Sequence, residues 1–262
     1  MQIFYYFCRE FFYIFMEHIS KAQVKLIKSL QQKKFRDELG LFVAEGKKCV
    51  EELRKGFKLE YLFTEGDNAT RTEIEQMSGL KTPQGVVGVF RKAENSENSD
   101  SSENSGLVLA LDGIQDPGNL GTIIRTCDWY GVHDIYCSQD TADCYNPKVV
   151  QATMGALARV RIHYVDLPAW LKELKIKNCE LRIFGTLLDG KDMYEVLAKG
   201  EGLKAKDIIV MGNEGNGISA AVRSVITHPV RIPSYPKNAE TSESLNVSIA
   251  TAIMLAEFRR PR

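Results

Sequence analysis

The sequence predicts an α/β protein in two parts: a small N-terminal α/β module and a larger C-terminal domain built on a mostly parallel sheet. Three features point that way. From Leu107 onward, β-branched apolar runs alternate with helical stretches, the pattern of a sheet covered by helices on both faces. Residues 93–106 read AENSENSDSSENSG, with no aliphatic side chain beyond Ala93, so this stretch cannot bury enough to fold and reads as a flexible acidic linker. Ahead of it, residues 16–92 carry short strands and helices in a segment of small-domain size.

In the N-terminal module, Val24, Ile27 and Leu30 share one helical face opposite Lys21, Lys25 and Lys28, with Ser20 as the cap. Lys33, Lys34 and Arg36 then form a local basic cluster. Strands are expected at Leu41 to Ala44, Leu59 to Thr64 and Val86 to Phe90, with helices over Lys47 to Lys55 and Thr72 to Met77 between them. After the linker, strands are expected at LVLALD (Leu107 to Asp112), DIYCS (Asp134 to Ser138), RVRIHYV, LRIFGTLLD, DIIVMG (Asp207 to Gly212) and VRIP (Val230 to Pro233). Helices follow Asn119, cover Lys148 to Leu157, start at Pro168, and close the chain from Val247, where Ile249, Ala250, Ile253, Met254 and Phe258 recur at helical spacing. The C-terminal domain is thus expected over 107–262.

Composition narrows the function classes. The 34 basic and 34 acidic residues leave no net charge, so any nucleic-acid footprint has to be local. The six cysteines contain no CxxC pair and read as free thiols in a reducing, cytoplasmic setting. Four scattered histidines lack ligand spacing, so no metal site is expected. The opening MQIFYYFCREFFYIF is too short to span a bilayer and has no basic n-region, so no membrane association is expected. It reads as an extra segment, 1–15, upstream of a natural start at Met16.

In parallel sheets ligands bind at the carboxyl ends of strands, and three strand ends here are polar and glycine-rich. They are LDGIQDPGNLGTIIRT, VMGNEGNGIS, and the run IPSYPKNAETSESLN that enters the last helix. Each has a plainer reading: Asp-Pro-Gly-Asn is good turn chemistry, Arg125 can be a surface ion-pair partner, and Ser244 and Asn246 can be helix caps. Gly212-x-x-Gly215-x-Gly217 lacks the Lys-Ser/Thr of a phosphate loop and the glycine order of the dinucleotide fingerprint, which disfavours an NTPase or a nicotinamide enzyme.

Together and in this order the three segments resemble the motifs of the SpoU (TrmH-like) family of RNA ribose 2′-O-methyltransferases, in the SPOUT superfamily. FVAEGKKCVEEL and LKTPQGVVGVF resemble the substrate-binding domain that many members carry. The resemblance implies a deep trefoil knot at the C-terminal end, S-adenosylmethionine (SAM) held in it, a homodimer, and an rRNA or tRNA substrate. It implies catalytic roles for Asn119, Arg125, Glu214, Ser244 and Asn246, and a cofactor site around Leu187, Gly212, Asn213, Gly217, Ile232, Leu245 and Asn246. The loop between Ile232 and Glu243 is several residues longer than the family pattern. Lys33, Lys34, Arg36 and Lys47, with Arg125, are the expected RNA contacts. The alternative is a non-catalytic RNA-binding or ribosome-assembly factor on the same fold.

A ribose 2′-hydroxyl is a poor nucleophile, so such an enzyme has to align oxygen, methyl carbon and sulfur and give the proton a destination. Bringing a guanidinium from about 13.8 to about 7 to serve as base would demand roughly 9 kcal/mol. A bidentate phosphate clamp is the less costly role for Arg125, with Glu214, phosphate or water receiving the proton.

Overall fold

The computed structural model describes residues 18–93, 106–198, 207–236 and 244–260. The segment 1–15, most of the linker and residues 237–243 of the long loop lie outside the described residues. The chain divides into two compact units, one formed by its described residues before 96 together with Asp143–Ala158, the other by the remainder.

The first unit is a three-stranded antiparallel sheet in the order β1-β3-β2, with β1 at Leu41–Glu45, β2 at Leu59–Thr64 and β3 at Val86–Arg91. Around it lie α1 (Lys21–Ser29), α2 (Lys33–Leu39), α3 (Lys47–Leu53) and α4 (Arg71–Met77). Ser20 and Thr70 start α1 and α4 with reciprocal capping boxes to Gln23 and Glu73. Ile27, Leu30, Val43, Phe63, Ile74, Met77, Val87 and Val89 fill one core. The basic cluster, given no secondary structure by the sequence pattern, is helix α2, ended by Gly40 in the left-handed region at φ 64°.

A second core belongs to the same unit and depends on a distant piece of chain. Tyr145 packs on Phe42 at 4.8 Å between centroids and edge-on to Phe57, and Phe42 stacks on Phe90. Burial pushes the Tyr145 hydroxyl pKa up, and its oxygen accepts a hydrogen bond from the Ala93 amide. Behind Tyr145, α6 (Pro147–Thr153) places the Val150 carbonyl against the Cys49 thiol, whose pKa burial pushes up to about 11. The helix expected over Lys148 to Leu157 stops at Thr153, because Met154 turns left-handed at φ 51°. At Gly155 a Cβ would collide with Glu52. Asp143–Ala158, expected inside the C-terminal domain, is thus part of the first unit's core.

The second unit is a six-stranded parallel sheet in the order β6-β5-β4-β8-β7-β9. Its strands are β4 (Leu107–Asp112), β5 (Asp134–Ser138), β6 (Arg161–Val165), β7 (Ile183–Asp192), β8 (Asp207–Gly212) and β9 (His228–Arg231). The central pair, β4 and β8, is buried along its whole length, as continuous apolar runs in a two-faced sheet require. Helices α5 (Pro117–Trp129), α7 (Leu167–Lys177), α8 (Met193–Ala198), α9 (Ala220–Arg223) and α10 (Val247–Phe258) accompany the sheet. From β9 at the sheet edge the chain returns to pack α10 on α5 and β8, burying Val247, Met254, Leu255 and Phe258. Arg259 fixes that packing by donating to the carbonyls of Tyr130 and Gly131. No helix among the described residues is long and apolar enough to cross a membrane.

Candidate active site

Asp112 and Gly212 are direct partners across β4 and β8, so the loops that follow these strands leave the sheet side by side. Side chains then tie the loops together. Asn213 Nδ2 donates to the Gly113 carbonyl at 2.7 Å, while its Oδ1 accepts from the amides of Gly215 and Asn216. Asp112 accepts the Ser219 amide at 2.7 Å, closing the far end of the 213–218 loop onto β4. Main-chain bonds between Asn213 and Gly217 run in both directions, and a Cβ on Gly212 would collide with the Gly217–Ile218 peptide. Only glycine admits that crossing. On the other side, Gly113 donates to Ser138 Oγ, which donates to Asp140.

Asp116 caps α5 by accepting the Asn119 amide, with Pro117 preset at the first helical position. That puts Asn119 on the first turn, half-buried and facing both neighbouring loops. Its Nδ2 donates to Glu214 Oε1 at 2.9 Å, and its Oδ1 accepts from Asn246 Nδ2 at 3.0 Å. Asn246 in turn uses Oδ1 to cap α10 through the amides of Ser248 and Ile249. The direction of every bond is forced, because a carboxylate and a helix cap can only accept and the two amides supply the donors between them. Three loops widely separated in sequence meet in one donor chain that ends on the Glu214 carboxylate.

Of the residues expected to be catalytic, Asn119, Glu214 and Asn246 are brought together and Arg125 and Ser244 are not. Arg125 lies about 9 Å further along α5 and roughly 120° around it from Asn119. It is exposed and makes no hydrogen bond or ion pair among the described residues. Ser244 is exposed as well. Among the expected cofactor residues, Gly212 is buried, and Leu187 is half-buried against the apolar cluster of Val210 and Ile218. Ile232 is half-buried and Leu245 is 51% exposed. Neither Ile232 nor Leu245 forms a hydrogen bond among the described residues, so their main-chain groups remain available. An apolar side chain at Leu187 and main-chain groups at Ile232 and Leu245 without hydrogen bonds among the described residues are the kinds of contact a nucleoside such as the adenosyl group of SAM takes.

Arg36 requires a correction. Expected as an RNA contact, it is 2% exposed, donates through Nε and Nη2 to Asp143 at 3.1 and 2.7 Å, and donates through Nη1 to the carbonyls of Leu30 and Gln31. It is a structural residue of the first unit. Lys33 is tied to Asp37 at 2.5 Å, whereas Lys34 and Lys47 are exposed. Ser138, Asp140 and Ser219 were not singled out in the sequence. The signal for the first two was present in Ser-Gln-Asp at a strand end, but such residues also form ordinary turns.

Comparison with known proteins assigns both parts of the chain to described families. Residues 106–256 match the SpoU rRNA methylase family, and residues 21–88 match the MRM3-like substrate binding domain. The chain is 29% identical to the 23S rRNA (guanosine(2553)-2′-O)-methyltransferase RlmP of Bacillus subtilis, over 93% of this chain and 98% of that one. It is 32% identical to the 23S rRNA (guanosine-2′-O-)-methyltransferase RlmB of Neisseria meningitidis, over 85% and 87%. Among solved structures, a TrmH-family protein from Porphyromonas gingivalis superposes with a TM-score of 0.80 at 34% identity, over 92% of this chain and 98% of that one. An AdoMet-bound rRNA methyltransferase from Sinorhizobium meliloti gives 0.77 at 30% identity, over 93% and 96%.

Proposed function

The chain belongs to the SpoU rRNA methylase family, and on that premise we propose that it methylates the ribose 2′-hydroxyl of a guanosine in cytoplasmic 23S rRNA with SAM as methyl donor. The observation that carries this reading is the donor chain from Asn246 through Asn119 to Glu214, which joins the three motif loops and leaves one carboxylate oxygen without a partner among the described residues. The guanosine is taken from the names of the RlmP and RlmB relatives.

Bound SAM supplies a methyl carbon already activated by its sulfonium, so the protein's work is alignment and charge. The main-chain groups of Ile232, Leu245 and Gly212, with the Leu187 side chain, would hold the adenosyl group. Asn119 holds Glu214 at a fixed angle, and the second Glu214 oxygen is placed to take the ribose proton directly or through a water. Arg125, exposed and with no side-chain partner among the described residues, clamps a phosphate beside the target ribose through its planar fork.

The same reading includes a knotted C-terminal end and a dimer. The return of α10 from edge strand β9 to the central strand β8 is the traverse that a trefoil requires. Trp129 on α5 is 85% exposed and Ile249 on α10 is 52% exposed, on two helices packed together, and a second copy of the chain would cover them. Sedimentation at micromolar concentration should give twice the chain mass, and a monomer there would remove the dimer from the proposal.

Calorimetric titration with SAM is the first test of the function. Binding in the micromolar range is expected, and none at millimolar ligand would sink the methyltransferase reading. Ribose-methylation mapping of rRNA from cells with and without the gene then identifies the nucleotide.

A further inference from the structure

Resting on the reading of Glu214 as the group that takes the ribose proton, we propose that Ser138, backed by Asp140, is a positioning residue for methyl transfer. It fixes the Asn213–Gly217 loop from the β5 side, through Gly113, and so sets where the Glu214 carboxylate stands.

A continuous chain of contacts makes the link. Ser138 ends β5 and is 8% exposed. Its hydroxyl proton goes to Asp140 Oδ1 at 2.5 Å, which leaves its oxygen to accept the Gly113 amide at 2.8 Å. Gly113 is buried where the chain leaves β4, in the left-handed region at φ 73°. Its carbonyl accepts Asn213 Nδ2 at 2.7 Å, and Asn213 Oδ1 accepts the amides of Gly215 and Asn216, which follow Glu214. Gly113 therefore commits one polar group to β5 and the other to the Glu214 loop. Space is as tight as the bonding: a Cβ on Gly113 would stand 3.1 Å from Asp140 Oδ2 and 3.7 Å from Asn213 Cβ. A shift of Gly113 on one side is passed to the other.

Glu214 is held twice, by different parts of the residue. Asn119 orients its side chain from α5. That contact does not set the height of the main chain beneath, which the link through Gly113 does. Height matters because a displacement of about 1 Å can cost about 10²-fold in rate. The hydroxyl is not needed for the surrounding scaffold. The Ala142 amide donates to the Ile114 carbonyl at 2.8 Å, β4 and β5 pair in register, and Gly212 is fixed by pairing with Asp112. What Ser138 alone supplies is the acceptor for Gly113.

The test uses the full chain, with kcat and KM measured on an in vitro transcript of 23S rRNA and hydrogen exchange followed by mass spectrometry without RNA. Ser138→Ala should speed exchange at 113–114 and 213–217 while β8 keeps wild-type protection. It should lower kcat about 10- to 100-fold, with KM for rRNA and SAM affinity within about twofold of wild type. Some loss of stability follows from any role, because the buried Gly113 amide loses its acceptor, so the urea midpoint does not decide. Coupling does. In a Glu214→Gln background, Ser138→Ala should change kcat by less than about twofold, whereas a general loosening of the fold would cost its full factor again. Asp140→Asn keeps an acceptor for the hydroxyl and should retain more turnover than Asp140→Ala. That pair, on an exposed side chain, carries the test if Ser138→Ala does not fold. Wild-type exchange at 213–217 overturns the link, and wild-type kcat or a fully additive loss in the double variant overturns the positioning role. Wild-type turnover in Glu214→Gln overturns the proton-acceptor reading and this proposal with it. A wild-type chain that transfers no methyl group from SAM to rRNA overturns the functional reading, and the exchange result then decides the link by itself.

Discussion

Arg36 on α2 and Arg125 on α5 look alike in the sequence, each a cation in a helical stretch beside other polar residues. Their surroundings are opposite. Arg36 is buried, with its guanidinium divided among Asp143 and two carbonyls, whereas Arg125 stands in solvent with no partner among the described residues. A guanidinium whose three nitrogens all donate to its own chain holds a fold. One whose donors are free is available to a ligand. The same contrast separates the Asp143 pair of the first unit from the Glu214 carboxylate of the second, which keeps one oxygen without a partner among the described residues.

The largest expected effect comes from breaking the buried side of this contrast. Arg36→Met leaves Asp143, 12% exposed, without its cation, and loss of one member of a buried pair costs about 3–5 kcal/mol. Urea denaturation should show that loss, while the salt dependence of RNA binding by the remaining folded protein stays at the wild-type value. A shallower salt slope would return Arg36 to the RNA surface. Arg125→Lys is the mirror experiment. Stability should stay within about 0.5 kcal/mol, while kcat falls by about 10²-fold as the bidentate fork is lost. Near wild-type turnover would remove the clamp.

Arg161 lies between the two cases, half-exposed itself but paired with a buried carboxylate. Burial alone would raise the Asp134 pKa. Hydrogen bonds from His163 and Arg161 outweigh it and hold the value down to about 2. Because the folded value lies below the unfolded one, the stabilisation is fully present above pH about 4 and drains away as pH falls toward 2. Screening at the exposed Arg161 limits it to about 1–2 kcal/mol. Asp134→Asn should therefore be less stable than wild type at pH 7 by that amount, with the gap closing in acid. A gap that does not vary with pH would show that packing, not charge, is responsible.

How much of this was legible in the sequence depends on how far apart the partners lie. The parallel sheet, the strand ends and the loops at Asp116–Asn119 and Asn213–Gly217 follow from local pattern and turn chemistry, and the structure puts them where the pattern placed them. Helix α2 was missed because a seven-residue helix offers barely two turns of periodicity, although Gly40 marked its end. The fate of Arg36 was not legible at all, because its partner is 107 residues away. Tyr145 is the same kind of case. Nothing local says that Asp143–Ala158 completes a core begun at Phe42.

Asn246 tests the contrast at its finest, because it is a structural cap and a site residue at once, by opposite ends of one amide. Its Oδ1 caps α10 and its Nδ2 donates to Asn119. Alanine removes both, at about 1 kcal/mol for the cap. Aspartate separates them: it caps as well as asparagine and its charge suits a helix N-terminus, but it has nothing to donate. Asn119 would then face an acceptor on each side with one NH2 group to offer, so either Glu214 or residue 246 meets a bare oxygen. Asn246→Asp should keep the thermal midpoint within about 2 °C of wild type and lose most of its methyl transfer. If it retains turnover, Asn246 is only a cap, and Glu214 is held by Asn119 without help from the last helix.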